Sequence, residues 1–385
     1  MRKLVTLRKI TKIIPHTNAD NLELAIIDGW QVVVKKNEFK QNDLVVYFEI
    51  DSLLPITEEF EFLRKSSYIK KDWLKSSFPN GEAFRLRTIK LRKELSQGLI
   101  IPISDKLSVV INNGSVNTDD DLSDFFGVKK YDPPLNISNG TRSLVQCKFP
   151  ELIPKTDQER IQNITYDELL SSFNLAETFE VTQKYNGSSI TIYQTKNKLS
   201  NFDKFKLRLY NFFGLKNKTY ELEYYFGVCS RNLELKLSDK NSKFVQTALN
   251  EKYDEVLKFI CEMTGWDLAI QGELIGESIQ GNWHGISGNT IMIFDIYNIS
   301  TGRYLDPSHR KDMLYLINSK FPHIKHVDVL NSEYKLTGID RQQFLDLAEY
   351  KLDNGNENEG VVFKSNLRQF SFKAISNSFL LKGGE

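Results

Sequence analysis

Apolar and polar positions follow two different periods along this chain, and the change of period divides it. Up to about residue 104 the apolar runs are short, close to period two, and closed by turn residues. Leu4 to Ile14 is rich in apolar and β-branched residues and ends at Pro15. Leu22 to Ile27 and Trp30 to Val34 flank Asp28-Gly29, a hairpin signal. Asp43 to Ile50 reads as a buried strand, Phe84 to Leu91 alternates basic with apolar residues, and Leu99 to Ile103 is a last short strand. The insert Phe60 to Pro79 is more helical and aromatic. About five or six short strands in roughly a hundred residues predict a small OB-like barrel.

Residues 105–150 interrupt this pattern with Asn112-Asn113-Gly114, the acidic run Asp119-Asp120-Asp121 and Pro133-Pro134, and are expected to be a connector. The acidic run reads as a helix start or a solvated loop. From 151 to 385 strands and helices mix without regular alternation, which predicts an α+β domain with antiparallel sheets. Glu180 to Lys184 and Ile190 to Tyr193 read as a strand pair around Asn186-Gly187, with Ile291 to Tyr297 and Gly360 to Lys364 as further strands. Phe244 to Met263 has helical spacing and stops at Gly265. Asp306-Pro307 opens another helix, and Asp340 with Gln343 resembles a capping box for a third.

Composition narrows the function classes. Lys and Arg number 51 against 50 Asp and Glu, so any nucleic-acid surface must be a local patch. The cysteines, Cys147, Cys229 and Cys261, have no paired spacing, which disfavours a zinc site or a disulfide framework. The N-terminus lacks the apolar run of a signal peptide, and no apolar stretch approaches membrane-spanning length. A soluble, intracellular protein with no membrane contact is expected, its compartment left open. No apolar helical seam stands out, so a monomer is expected.

Lys184-Tyr185-Asn186-Gly187 is the first candidate for chemistry. Bringing a lysine from about 10.4 to near 7 takes roughly 3 units, or about 4 kcal/mol. Burial, a nearby arginine and a divalent cation all push that way, and the Asn-Gly turn lets backbone approach a phosphate. Taken alone the motif reads more readily as a hairpin lysine facing solvent. Downstream, Glu273 lies on a strand between glycines, Met292 and Phe294 share one face of a strand and could wall a purine, Glu359 starts and Lys364 ends another strand, and Lys373 sits on a last one. Arg85, Arg87, Lys90, Arg92 and Lys93 form a basic stretch in which Arg85 and Arg87 share a strand face.

In this order the segments resemble the covalent nucleotidyltransferases, the polynucleotide ligases and mRNA capping enzymes. Lys184 to Gly187 is similar to the nucleophile motif, Ser230-Arg231 to the arginine motif, and Gly272-Glu273 and Phe294-Asp295 to the next two. Glu359 to Lys364 and Phe372-Lys373 complete the set. Lys155 to Asn163 looks like the segment upstream of the nucleophile in ATP-dependent RNA ligases of the Deinococcus and Naegleria type. Gly29-Trp30, Glu49 to Pro55 and Leu95 to Leu99 resemble the OB module those ligases carry first. DNA ligases and capping enzymes place that module last, and the chain ends about a dozen residues after Lys373. That order disfavours both.

The resemblance implies residues 1–104 as an OB-like nucleic-acid-binding module and 151–385 as the nucleotidyltransferase domain. It implies ATP with Mg²⁺ or Mn²⁺, Lys184 attacking the α-phosphorus, transfer of AMP to an RNA 5′-phosphate, and sealing by a 3′-hydroxyl, with nicked duplex as the expected substrate. Glu273, Glu359 and Asn186 would face the metal, and Lys373 and Lys364 the phosphate. Gly187 and Arg231 would hold the nucleotide, Phe294 or Met292 the adenine, and Arg85, Arg87, Lys90 and Arg92 the RNA. Two departures stand out: Asn186 where many relatives have aspartate, and Ser371 where RNA ligases often have a lysine. Asn186 keeps alive a catalytically inactive RNA-binding homologue as the alternative from another class.

Overall fold

The computed structural model describes residues 3–112, 114, 120–132, 145–196 and 224–382. In the N-terminal region Ala25, Val32 and Tyr47 turn into the core because neighbouring strand residues alternate in direction. Strands β1 (Val5–Lys9), β2 (Lys12–Pro15), β3 (Leu22–Ile27), β4 (Trp30–Lys35) and β5 (Leu44–Phe48) come first. β6 (Ser52–Leu54), β7 (Tyr68–Lys70), β8 (Glu82–Arg85), β9 (Thr88–Leu91), β10 (Glu94–Gln97), β11 (Leu99–Pro102) and β12 (Lys129–Lys130) follow. They form small sheets in the orders β1-β5-β11, β2-β3-β4, β10-β9 and β12-β6-β8-β7. These wrap two apolar clusters, one around Phe48, Phe60 and Phe84, the other around Trp30 and Tyr47. Asp28 and Gly29 both have positive φ, 51° and 87°, so β3 and β4 are joined by the expected tight hairpin.

Two strand readings in this region change. Leu4 to Ile14 is two strands in different sheets, because Ile10 turns into the core between them. Phe84 to Leu91 is broken at Leu86-Arg87. Buried Leu86 bonds to Ser52 and Asp51 through its backbone, and β8 and β9 enter different sheets. Arg85 and Arg87 therefore do not share a strand face.

Residues 105–150 contribute to both bodies. Leu107, on the helix Asp105–Asn112, joins Leu122, Phe126 and Val128 in the barrel core, whereas β13 (Val145–Lys148) joins a sheet of the second body. Asp121 caps a loop through a 3.0 Å bond from the Ser123 backbone. Asp119 and Pro133-Pro134 lie outside the described residues.

The second body is built on two sheets. One runs β13-β18-β17-β16-β19-β20-β21, with β22 beside β20; the other runs β14-β25-β24-β15-β23. The first contains β16 (Ser188–Lys196), β17 (Tyr224–Ser230), β18 (Leu233–Leu235), β19 (Leu268–Gly276), β20 (Asn289–Asn298), β21 (Arg303–Tyr304) and β22 (Lys325–His326). The second contains β14 (Glu159–Arg160), β15 (Thr178–Lys184), β23 (Val329–Lys335), β24 (Gly360–Ser365) and β25 (Ser371–Ile375). Apart from the parallel pairs β14 with β25 and β20 with β22, the pairing is antiparallel. The architecture is α+β, as the irregular element order implied.

The strand pair expected around Asn186-Gly187 is not a hairpin. β15 and β16 belong to different sheets, and residues 185–187 carry the chain from one to the other. Gly187 is required by close approach, since a Cβ there would collide with the Leu274 carbonyl and the Glu273 side chain. The helix expected over Phe244 to Met263 is also two helices, Lys243–Asn250 and Tyr253–Thr264, parted by Lys252 at φ 60°. Glu251 at that break accepts from Thr290 Oγ1 at 2.7 Å, a tertiary bond that outweighs helix continuity. Gly265 ends the second helix in the left-handed conformation, and Asp306 caps Pro307–Lys320 through a 2.9 Å bond from the His309 backbone. The capping box at Asp340 is not formed. Gln343 donates to the Gly338 and Asp340 carbonyls instead of reaching the Asp340 N–H.

Candidate active site

Strands β15, β19, β24 and β25 converge on a cavity of about 620 Å³ between the two sheets. Lys184 ends β15, Glu273 lies on β19, Glu359 immediately precedes β24, and Lys373 lies on β25; all four line the cavity. Lys184 Nζ donates to Glu359 Oε1 at 2.6 Å. Asn186, Gly187, Arg231, Phe294 and Lys364 line it as well, so most of the residues singled out in sequence meet in one place.

Charge inside the cavity is not settled. Burial pushes the Glu273 carboxyl up to about 8, with Glu359 adding to the effect and Lys184 opposing it. Burial and the neighbouring Lys184 and Arg160 push Lys373 down to about 8. Lys184 goes the other way: burial lowers it, but Glu359 and Glu273 outweigh burial and hold the ammonium above its ordinary range. Burial by the protein's own residues therefore does not deliver the neutral amine the sequence reading expected, and the arginine acting on it is Arg160.

A segment crosses the cavity mouth from one sheet to the other. Gln271 Nε2 donates to the Pro154 carbonyl at 2.8 Å, Lys155 Nζ to Asn232 Oδ1 at 2.7 Å, and Thr156 and Ser189 hydroxyls lie 2.7 Å apart. Arg231 binds Asp157, and Glu159–Arg160 then pairs with β25. Arg160 also lies over the Trp30 ring at 5.5 Å, and Asn163 Nδ2 donates to Glu49 Oε1 at 2.8 Å, so the barrel docks directly behind this segment.

A family model for RNA ligase matches residues 177–375, and one for an OB-fold domain matches residues 4–103. No curated protein matches. Among solved structures, a variant of the Naegleria gruberi RNA ligase with AMP and Mn is 34% identical, covers 100% of both chains and has a TM-score of 0.76. The chain belongs to the RNA ligase family. Another variant of that protein, with ATP and Mn, is 33% identical over 100% of both chains at a TM-score of 0.76. The same protein with PPi is 34% identical over 99% of each chain at 0.74.

The ligase keeps Phe294 and Met292 on one face of β20, as sequence placed them, with Ile291 and Ile293 on the other. β20 carries a bulge in which Asp295 faces Gln271 and Ile293 faces Gly272, leaving Phe294 as the extra residue. A bulge re-aims a side chain. Phe294 reaches the cavity and packs against the cluster of buried Met292, Ile275 and Val327. Lys364 reaches the wall, but its ammonium is 2.8 Å from Asp295 and donates to the Phe294 carbonyl.

Glu359 Oε2 is buried with no hydrogen-bond partner, and Glu273 faces the same cavity. Paired hard oxygen donors fit a divalent cation. Among the described residues no group of three or more His, Cys, Asp or Glu could hold one alone. An ion here would complete its shell with phosphate and water.

Sequence reasoning passed over the support behind Lys184. Tyr185 donates to Asp328 Oδ2 at 2.9 Å and stacks on His284 at 4.6 Å; His284 Nε2 accepts from the Asn186 N–H at 3.1 Å. Burial pushes His284 down to about 4, which keeps it neutral as that acceptor requires. These residues are far apart in sequence, and no spacing pattern marks them.

The basic stretch divides. Arg85 lies 3.6 Å over the Tyr131 ring and 3.4 Å from Asp51, so its guanidinium is engaged within the barrel. Arg87, Lys90, Arg92 and Lys93 are exposed. Arg92 and Lys93 form the β9–β10 turn at φ 46° and 79°, where long side chains are uncommon. The hairpin docks through Leu95 on the helix Asn377–Leu381, whose Phe379 and Leu380 line the cavity, and Lys90 Nζ donates to the Leu381 carbonyl at 3.4 Å. Among the described residues no helix is long and apolar enough to cross a membrane.

Proposed function

We propose that this RNA ligase is ATP-dependent and joins a 3′-hydroxyl to a 5′-phosphate through a lysyl-AMP intermediate, acting on ends held in a duplex. The observation that carries the reading is Lys184 Nζ, 2.6 Å from Glu359 in a cavity that also presents Glu273, Lys373 and Arg231. Nucleotide and cation on the Naegleria relatives support ATP with Mn²⁺ or Mg²⁺ here. In the first step Lys184 loses its proton, for which Glu359 is the adjacent acceptor. It then attacks the α-phosphorus, and the bond to pyrophosphate breaks. AMP next passes to the RNA 5′-phosphate, and the 3′-hydroxyl displaces it. Lys373 neutralises the α-phosphate, Arg231 the outer phosphates, Gly187 admits backbone close to phosphate, and Phe294 flanks adenine. When bound, the divalent cation supplies positive charge beside Glu273 and Glu359 and so favours the neutral amine.

The barrel, residues 1–104 with the segment packed on it, holds the nucleic acid, and 151–385 is the catalytic domain. Exposed Arg87, Lys90, Arg92 and Lys93 face phosphate; Arg85 serves the fold. This arrangement gives salt-sensitive binding with little sequence preference.

The test is incubation with α-labelled ATP or GTP and Mn²⁺. Label from ATP that disappears in Lys184→Ala, with nicked RNA duplex sealed by the wild type, is the expected result. Label from GTP alone would point to capping chemistry, and no label with any divalent cation would leave an RNA-binding homologue. Labelling without sealing of a nick would move the substrate to other RNA ends.

A further inference from the structure

Asp157 is a carboxylate that lines the cavity together with the cations Arg160, Arg231 and Lys373. Arg231 Nη2 donates to both of its oxygens, at 2.8 and 3.0 Å, and Lys373 and Lys130 act on it through space. The segment that carries it does not depend on this contact, because Pro154, Lys155, Thr156 and the Glu159–Arg160 strand are each tied down separately. The pair is also easily opened: the Arg231 and Asp157 side chains are 61% and 50% exposed, and pairs of that kind contribute at most about 1 kcal/mol. A carboxylate and a terminal phosphate offer a guanidinium the same two-oxygen face.

We infer that Asp157 holds Arg231 in the place of a polyphosphate, and that an entering triphosphate or pyrophosphate must displace it. Asp157 is then an affinity-setting residue. It weakens the hold on outer phosphates and speeds departure of the pyrophosphate leaving group once Lys184 has taken the nucleotide. The inference rests on the ligase reading above and names a residue that tunes it.

The experiment compares pyrophosphate binding by calorimetry, at fixed Mg²⁺, for the full chain and for Asp157→Asn. Removing the competing carboxylate is expected to tighten binding about two- to fivefold, the equivalent of an exposed pair. Arg231→Ala alone is expected to weaken binding, and adding Asp157→Asn to it to recover little. Unchanged or weaker binding in Asp157→Asn would overturn the inference, the latter because the carboxylate would then be orienting Arg231 for phosphate. An equal gain in the Arg231→Ala background would overturn it too, since the effect would be general charge. Asp157→Ser provides a second variant if the first is poorly folded. Failure of the ligase reading looks different: no label from ATP in the wild type, whatever the calorimetry of the variants.

Discussion

Two buried ionic clusters lie at opposite ends of the β15–β24 strand pair, where Glu180 faces Lys364 at one end and Lys184 faces Gly360, next to Glu359, at the other. At the first end Arg310 pairs with Glu180 and, at 3.3 Å, with Asp295, and Lys364 reaches Asp295 at 2.8 Å. All four side chains are below a tenth exposed, and cations match acids. At the second end an acid oxygen has no partner and burial holds the Glu273 carboxyl near neutrality, whereas a lysine is lowered to about 8 at both ends, Lys364 at the first and Lys373 at the second. The same residue types on the same strands thus do opposite work. A closed cluster fixes the sheets against each other; an open one stores unmet charge that a nucleotide and a cation can satisfy. Burial of charge alone does not mark a site, whereas incomplete pairing does.

Breaking the closed cluster should have the largest effect. Arg310→Ala leaves Glu180 and Asp295 buried without their cation and is expected to cost about 3–5 kcal/mol in urea unfolding. A loss within experimental error would show that the cluster holds nothing together.

The open cluster should respond in the other direction. Glu273 keeps its proton in the folded state up to about 8 but only to 4.5 when unfolded. Folding therefore binds a proton across that window, and stability falls as pH rises through it. Glu273→Gln should abolish labelling by ATP while stabilising the apoprotein above pH 8, relative to pH 4.5, by on the order of 2 kcal/mol. Lys373 has the opposite sign: it binds its proton to about 8 folded and 10.5 unfolded, so its contribution to stability rises with pH across that interval. Lys364 contributes to the same interval, so Lys373→Met should reduce that limb in part and leave the Glu273 window unchanged. A Glu273→Gln profile that keeps the wild-type fall between pH 4.5 and 8 would remove the unmet charge assigned to the open cluster.

Mn²⁺ should raise the Tm of the wild type, by about 2.7 kcal/mol in stability at a hundredfold excess over Kd. It should do little for Glu273→Gln combined with Glu359→Gln. An equal rise in both would place the ion elsewhere. The smallest effect is expected outside the catalytic body: Lys90→Ala with Arg92→Ala should reduce the salt dependence of RNA binding by about two phosphate contacts. An unchanged slope would exclude the hairpin from the RNA surface.

Much of the site was readable in the sequence because its residues sit on strands or at their ends. There chain order and alternation fix both position and direction, as for Lys184, Glu359 and Lys373. The closed cluster was half visible, through Asp295 and Lys364, but Arg310 comes from a helix and Glu180 gave no signal. Asn186-Gly187 misled because the same dipeptide that closes a hairpin also serves a crossing between sheets; only pairing partners distinguish them. That Phe294 and not Met292 reaches the cavity was not legible, because the two share a face and a one-residue bulge is invisible to alternation. Arg85 was assigned to RNA because its engagement with Tyr131 joins residues 46 positions apart.

The crossing at residues 185–187 has one more consequence. It lies beside a second crossing, between β22 and β23, and the Asp328 carbonyl there receives the Gln183 N–H at 2.9 Å. The stretch from Lys184 to Ser188 is therefore a ruler pinned at both edges. Adding a single residue to it would displace the ammonium from Glu273 by about 3.3 Å, a full strand step. The length of this linker should tolerate far less change than the identity of the residues within it.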